Sequence, residues 1–224
     1  MFAKLFGAKF AYLFEPSTPS IKWREAGSPI IAYLPKGASS LATSYVNLAN
    51  PGTYDATVGV APTWNASSGW IFNGSTQYLD TGVEPASDWS MVVKFSDFVI
   101  DAASVIAGIE NYGVASFYIA STIGQDWYGT GKAVTVVTRD PTLQGVRAIS
   151  KYQGYLNGVA DGTPASEEAW ANTGADLSIL IGCYNYAGDS PAVFSQVNVQ
   201  AFTVYDKTLS AAEILAVTQA MEAI

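Results

Sequence analysis

The sequence predicts an all-β domain, a sandwich or jelly roll of two antiparallel sheets. Short runs rich in Tyr, Trp, Val and Ile recur about every ten residues, separated by Gly, Asn, Asp and Pro. Hydrophobic residues make up 49% of the 224 residues and charged residues only 13%, so a large core can form beneath a sparsely charged polar surface. Strands do not alternate with long helices along the chain, which argues against an α/β fold.

Residues 1–20 are predicted to form a docking arm and hinge in front of a domain that occupies residues 21–224. Apolar side chains in the arm recur mostly three or four positions apart, which indicates a short amphipathic helix. They are Phe2, Leu5, Phe6, Phe10, Leu13 and Phe14. The arm is too short to span a membrane and lacks a small-residue cleavage pattern. An unrecognised signal or anchor, or an edge strand of the domain, remain alternatives.

Ten runs are the strand candidates of the domain. In order they are IIAYL, GWIFNG, WSMVVKFSDF, SVIAGI, SFYIAST, AVTVVTR, VRAISKY, GYLNG, LSILIGCY and VNVQAFTVYD. Within GYLNGVADGT, Asn157 and Gly158 favour the positive φ angles of a type I′ turn, which predicts a hairpin there.

A single short helix is predicted after the last strand. Ser210 is the expected N-cap, and Glu213 three residues later completes a capping box. The apolar face of the helix is expected to consist of Ile214, Leu215, Val217 and Met221.

Charge and residue usage exclude several classes of function. The chain has 11 Lys and Arg against 19 Asp and Glu, a formal charge of -8, and no basic run interleaved with aromatics, so neither nucleic acid nor an anionic membrane surface is an expected partner. Histidine is absent, which removes a Ser-His-Asp triad, a Cys-His dyad and a His-ligated zinc site. Cys183 is the only cysteine, so no intrachain disulfide can form.

Three stretches resemble a known family. VNVQAFTVYDKTLSAAEI (Val197 to Ile214) resembles the closing signature of laminin-G-like, concanavalin A-like jelly rolls: a strand ending in an aromatic, an Asp, a Leu-Ser turn and a capped helix. WNASSGWIFNGSTQYLDTG and YQGYLNGVADG are similar to two earlier hairpins of that family. The resemblance covers residues 40–224. In the first hairpin it implies that Ile71, Phe72 and Tyr78 pack inward around a turn at residues 73–75.

The resemblance also bears on enzyme activity. Glucan hydrolases that share this jelly roll carry an E-x-D-x-x-E strand, which brings two carboxylates into the cleft from one face. That pattern is missing here, and the closest acidic groupings are Glu167 with Glu168 and Asp97 with Asp101. We therefore expect no catalytic residues and a protein that is not an enzyme, with a glucan hydrolase as the least favoured alternative.

Two stretches combine flat aromatic rings with amides or carboxylates, the groups that bind a pyranose ring and its hydroxyls. One is the Gly-bounded loop GQDWYGTGK, and the other is CYNYAGDSP, just past a buried strand. The predicted carbohydrate-binding residues are Asp126, Trp127, Tyr128, Tyr184, Asn185 and Tyr186. ENYG (Glu110 to Gly113) joins them if the loops gather at one rim. The alternative is that these are ordinary aromatic residues at strand ends, whose polar groups stay in contact with water and bind no ligand.

No cofactor is expected to be required, and calcium is the one that the sequence leaves open. Relatives of this fold hold calcium at the rim with Asp and Asn side chains and backbone oxygens. Asp189 is the candidate ligand, and Asn185 and Asp126 could add oxygens, although no D-x-D-x-D loop fixes their spacing.

Many similar one-domain sequences look like bacteriophage virion proteins. The resemblance therefore implies a non-enzymatic virion surface protein, a decoration or fibre subunit, with the jelly roll facing outward and possible adhesion to a cell-surface glycan. Its arm would dock on other virion proteins or on copies of itself. The alternative is a carbohydrate-binding adhesin module that is extracellular or exposed on a cell surface.

Overall fold

A computed structural model of the chain describes residues 27–100, 103–111, 115–138, 141–164, 177–186 and 190–224. Two large sheets lie face to face, and a short helix follows the last strand, which confirms the predicted all-β sandwich. The predicted arm and hinge (residues 1–20), the acidic pair Glu167 and Glu168, and the calcium candidate Asp189 lie outside the described residues.

The first sheet has eight strands. In chain order they are β1 (Ile31–Tyr33), β3 (Thr63–Asn65), β4 (Gly69–Asn73), β6 (Ser90–Val99), β11 (Gly145–Ser150), β12 (Gln153–Leu156), β13 (Val159–Ala160) and β17 (Gln196–Tyr205). Their order across the sheet is β13-β12-β11-β6-β17-β4-β3. β1 pairs with β17 as well, so β17 contacts three strands that lie far from it in sequence.

The second sheet has nine strands. In chain order they are β2 (Thr57–Val60), β5 (Tyr78–Asp80), β7 (Ser104–Asn111), β8 (Ala115–Thr122), β9 (Gln125–Gly131), β10 (Ala133–Thr138), β14 (Leu180–Ile181), β15 (Tyr184–Tyr186) and β16 (Ser190–Ala192). The main order is β10-β9-β8-β7-β14-β5-β2. β15 also pairs with β7, in parallel, and with β16.

The main core fills the space between the sheets. It is built from alternate residues of the strands, such as Trp70 and Phe72 of β4 and Phe117 and Ile119 of β8, because successive side chains of a strand point to opposite faces. Burying each such side chain stabilises the fold by about 1.5–3 kcal/mol. The indole nitrogen of Trp70 donates to the hydroxyl of Ser44 at 2.7 Å, at the end of helix α1 (Leu41–Ser44), so its polar atom is satisfied in the core.

Helix α2 (Ala211–Glu222) covers part of the outer face of the eight-stranded sheet. The predicted capping box is confirmed: the Ser210 hydroxyl accepts from the Glu213 N–H, and the Glu213 carboxylate accepts from the Ser210 N–H. Ile214, Val217 and Met221 are buried as expected. The prediction for Leu215 is wrong, since its side chain is 41% exposed. About 100° of helix rotation separates adjacent residues, which turns Leu215 away from the face that Ile214 buries.

The predicted hairpin at Asn157 and Gly158 is confirmed. Both residues have positive φ, +49° and +79°, and Leu156 pairs with Val159 across the turn.

The turn after β4 differs from the expected hairpin. β4 and β5 belong to different sheets, so the chain crosses from one layer of the sandwich to the other between them. The side chains of Phe72 and Leu79 are buried, whereas Ile71 and Tyr78 are only half-buried. The prediction is thus right for Phe72 and wrong for Ile71 and Tyr78, because alternation along each strand turns these two side chains away from the core.

Polar contacts join the two sheets in the interior. Arg147 of β11 and Asp126 of β9 form an ion pair at 2.5 Å, and neither side chain is exposed. The Ser121 hydroxyl of β8 donates to the same Asp126 oxygen, and the Arg147 guanidinium lies 5.2 Å from the ring centre of Phe95. A buried charge is tolerated only when it is paired in this way.

Neither of the two described helices combines the length and apolar character that crossing a membrane requires.

Candidate functional site

Aromatic side chains gather on the outer face of the nine-stranded sheet. Trp127 lies on β9, Tyr118 on β8, and Tyr184 and Tyr186 on β15, with Glu110 of β7 between the last two strands. Tyr118, Trp127 and Tyr184 pack together with Val105 and Ala120 in a cluster separate from the main core. We call the five residues Glu110, Tyr118, Trp127, Tyr184 and Tyr186 the aromatic face.

Tyr118 sits at the centre of this face. Its ring lies 6.0 Å from that of Tyr184, which in turn stacks on Tyr186 at 5.9 Å. The ring also rests on the backbone of β9: a Cβ added to Gly129 would meet a Tyr118 ring carbon at 2.4 Å. A glycine at position 129 is therefore what allows the tyrosine to lie flat across the neighbouring strand.

Trp127 and Tyr186 give the aromatic face its accessible ends. Trp127 is half-buried, and its indole nitrogen donates to the Thr122 hydroxyl at 3.4 Å. Across the edge strand β10 it is opposite Val136, which is 41% exposed. Tyr186 is 40% exposed at the other end. A ligand could therefore contact rings at both ends, while Tyr118 is only 8% exposed between them.

Glu110 places a carboxyl group among these rings. Its side chain is 8% exposed and accepts a hydrogen bond from the Ser116 hydroxyl at 2.9 Å. Burial raises the pKa of Glu110, and the hydrogen bond from Ser116 offsets part of that rise. Burial also raises the pKa of Tyr118 and Tyr184, and the Glu110 charge adds to both shifts. The tyrosine hydroxyls therefore stay protonated, and Glu110 is the acceptor of the site.

Three of the six predicted carbohydrate-binding residues come together here. Trp127, Tyr184 and Tyr186 share the outer face, although their stretches lie far apart in sequence. The expectation of a loop at GQDWYGTGK is wrong, since these residues form β9, which pairs with β8 and β10 along its whole length.

The other three predicted residues lie on the inner side of the same strands. Asp126 is paired with Arg147, the Tyr128 hydroxyl donates to Asp161 at 2.6 Å, and the Asn185 amide donates to the Ser178 carbonyl at 3.3 Å. All three alternate with residues of the aromatic face along β9 or β15 and therefore point to the opposite side of the sheet, where a ligand on that face would not meet them. Among the described residues, no three His, Cys, Asp or Glu side chains lie together in a group that could hold a metal ion.

Tyr118 and Ser116 were not predicted as site residues. The sequence predicts only a strand for their stretch SFYIAST. The alternation of apolar and other side chains along that strand nevertheless indicates which residues face outward. Phe117 and Ile119 face the core, so Ser116 and Tyr118 must face outward.

An open groove on the eight-stranded sheet is a weaker candidate. Its lining includes Asp97, Leu143, Gln144 and Gln196. The Asp97 carboxylate already accepts from the Asn198 amide at 2.6 Å, and no Trp or Tyr lines the groove. It therefore lacks the flat ring surface that the aromatic face offers.

No protein-family model and no curated protein sequence matches the chain. Its fold is similar to that of a Trypanosoma rangeli sialidase in complex with the inhibitor DANA, with a TM-score of 0.56 and 15% identity over 85% of this chain and 32% of the sialidase. The same sialidase in complex with sialic acid gives a TM-score of 0.55 and 16% identity over 86% of this chain and 33% of the sialidase. A mutant of a protein named HCR/D gives a TM-score of 0.55 and 14% identity over 87% of this chain and 52% of that one.

The chain thus spans about a third to about a half of the length of these similar structures. At 14–16% identity, the similarity to these structures concerns the fold alone. That fold agrees with the β-sandwich that the family resemblance implied. The narrower assignment to laminin-G-like or virion proteins stays a prediction.

The comparisons correct the prediction that the chain is not an enzyme. Several of the similar structures are sialidases, which are enzymes, so this fold is found within enzymes. The absence of an E-x-D-x-x-E strand excludes only the arrangement of carboxylates found in the glucan hydrolases. It does not exclude enzyme activity in general.

Proposed function

We propose that this chain is a carbohydrate-binding domain that holds a sugar against the aromatic face. The observation that carries the proposal is the row of Trp127, Tyr118, Tyr184 and Tyr186 on one face, with the carboxyl group of Glu110 near Tyr118 and Tyr184. A pyranose ring has apolar C–H faces that pack on aromatic planes and hydroxyls at its edges that need hydrogen-bond partners. The aromatic face supplies both within one surface.

The polar groups of the face suit hydroxyl ligands. Glu110 is an acceptor, and the hydroxyls of Tyr184 and Tyr186 can both donate and accept. Since Ser116 already holds the Glu110 side chain, the acceptor is fixed before a ligand arrives, which lowers the entropic cost of binding. The fold likeness to a sialidase in complex with sialic acid is in keeping with a sugar ligand.

Glycan-array binding followed by titration of the best ligand tests the proposal. Trp127→Ala should weaken binding about tenfold or more, because truncating an aromatic side chain that contacts the ligand commonly costs over 1 kcal/mol. Tyr54→Ala is the matched control: Tyr54 is 46% exposed, lies in the loop before β2 and is not part of the aromatic face. Equal binding by Trp127→Ala and the wild type, or no glycan bound at all, would contradict the proposal.

The setting of the domain is proposed from the sequence. A virion surface protein whose residues 1–20 dock on the particle would display the aromatic face outward, and a cell-surface adhesin is the alternative. Deleting residues 1–16 should leave a folded domain that no longer enters its particle. Retained incorporation would argue against the arm as the docking element.

Glycoside hydrolysis is a second candidate, and Glu110 is the observation that favours it. Burial raises the pKa of Glu110, which is the direction of shift that a carboxylic general acid requires. The usual mechanism needs a second carboxylate on the same face. Asp126 is in the same sheet but turned inward and paired with Arg147. Release of a chromogenic aglycone that is abolished in Glu110→Gln would establish hydrolysis, and no release from a broad glycoside panel would exclude it.

A further inference from the structure

The aromatic face has an unusual charge environment. We infer that it selects uncharged sugars and rejects sugars that carry a carboxylate, an inference that rests on the proposed function. It follows from where the cations of the chain lie relative to Glu110.

None of the nine strands of the second sheet contains a Lys or Arg within its described bounds. Lys132, in the turn between β9 and β10, is the nearest in sequence to a residue of the face, and it forms no ion pair with Glu110 among the described residues. Arg147 belongs to the other sheet and is fully buried against Asp126. Within the part of the chain that the structure describes, a ligand on the aromatic face therefore meets a carboxylate without a paired cation.

The sign of the charge decides which sugars fit. Sugar hydroxyls donate to an ionised carboxylate in short, charge-assisted hydrogen bonds. A carboxylated sugar would instead bring a second negative charge close to Glu110, where partial burial reduces the screening by water. The overall charge of -8 adds to the repulsion.

Proteins that bind carboxylates commonly use Arg, whose planar guanidinium matches the two oxygens. The described strands of this face offer no such group. The inferred ligand is an uncharged sugar. It therefore differs in charge from sialic acid, the ligand in the structure of the similar sialidase.

Pairs of sugars in which a carboxylate replaces a hydroxymethyl group test the inference. The methyl glycosides of glucose and glucuronic acid form one pair, and those of galactose and galacturonic acid form a second. Titrations followed by NMR at neutral pH and physiological salt should show the neutral member of a pair binding about tenfold or more tightly, since like charges a few ångströms apart repel by over 1 kcal/mol even at high effective dielectric. Raising the salt concentration should narrow the difference.

Two variants test whether the preference for neutral over acidic sugars arises at the aromatic face. Glu110→Gln keeps the shape and removes the charge, so the acidic sugar should gain affinity relative to its neutral partner. Val136→Lys adds a cation on an exposed position opposite Trp127, so it should raise affinity for acidic sugars without disturbing the core. Near-ultraviolet circular dichroism checks that both variants fold.

The outcomes separate the two proposals. Equal or tighter binding of the acidic members by the wild type would overturn the inference and leave carbohydrate binding intact. Unchanged discrimination in both Glu110→Gln and Val136→Lys would overturn it as well, because the selectivity would then arise elsewhere. If neither neutral nor acidic sugars bind, the proposed function itself fails and the inference falls with it.

Discussion

Replacing Arg147 with Met should destabilise the sandwich strongly. Arg147 on one sheet and Asp126 on the other form an ion pair at 2.5 Å with no exposure of either side chain. The guanidinium also donates to the Ser121 hydroxyl at 2.6 Å and to the Thr142 carbonyl at 3.2 Å. Met fills a similar volume but removes the guanidinium that pairs with the buried Asp126 carboxylate.

The expected loss in free energy of unfolding is about 3–5 kcal/mol, the range for removing one partner of a buried pair. Contacts of the guanidinium with the rings of Phe95 at 5.2 Å and Phe98 at 5.8 Å contribute to the same loss, at about 0.5–2 kcal/mol. Domains are commonly stable by about 5–15 kcal/mol in total, so this single change should bring the protein close to unfolding.

Urea denaturation followed by tryptophan fluorescence measures the effect, since Trp70 is fully buried and reports on core exposure. The double variant Arg147→Met with Asp126→Leu removes both charges and should be more stable than Arg147→Met alone. Lys207→Met is the matched control. Its ion pair with Glu213 at 2.9 Å has side chains 44% and 34% exposed, so its loss should be under about 1 kcal/mol.

Two results would refute this reasoning. A loss below about 1 kcal/mol for Arg147→Met would mean that water or rearrangement compensates the carboxylate, contrary to its burial. A double variant as unstable as the sum of the two single variants would mean that the two charges do not interact.

Four further predictions concern α2, the aromatic face and the thiol. Ser210→Ala should cost about 1 kcal/mol of stability through the lost cap. Hydrogen bonds, first from the Ser210 backbone, hold the pKa of Glu213 at about 2, below its usual 4.5. This stabilisation is present above about 4.5 and is lost as the pH falls toward 2, so an acid titration of Glu213→Gln should be flatter than that of the wild type across this window. Gly129→Ala should displace the Tyr118 ring and weaken sugar binding while the fold persists, as glycan titration and circular dichroism would show. Burial raises the pKa of Cys183 to about 12, so Ellman's reagent at neutral pH should label it only as fast as the protein unfolds.

Local signals in the sequence predicted local structure well. The capping box at Ser210 and the turn at Asn157 and Gly158 each depend on a few neighbouring residues, and the structure contains both. The β9 strand was missed because its Gln, Asp and Gly residues are typical of loops. Gly129 is explained only by Tyr118 of the next strand, a tertiary contact that no local pattern reveals.

The candidate site was predictable in part. Once β9 is known to be a strand, alternation alone places Trp127 outside and Asp126 and Tyr128 inside. That Trp127 and Tyr184 belong to one face depends on the order β9-β8-β7-β15. The last step of this order is the pairing of Tyr184 in β15 with Gly108 in β7, which neither stretch reveals alone. The same holds for β4 and β5, whose connecting turn has ordinary hairpin chemistry but joins two sheets.

The position of β17 has a consequence for how the protein folds during synthesis. β1, β4 and β6 all leave the ribosome before their shared partner, and β1 has no other pairing strand among the described residues. Until residue 205 emerges, the edges that these strands later present to β17 stay unpaired and their apolar faces stay exposed to water, the condition in which nascent chains aggregate. Closure of the sheet is therefore a late, long-range event, and chaperones that hold nascent chains should increase the yield of folded protein more than they change its final stability.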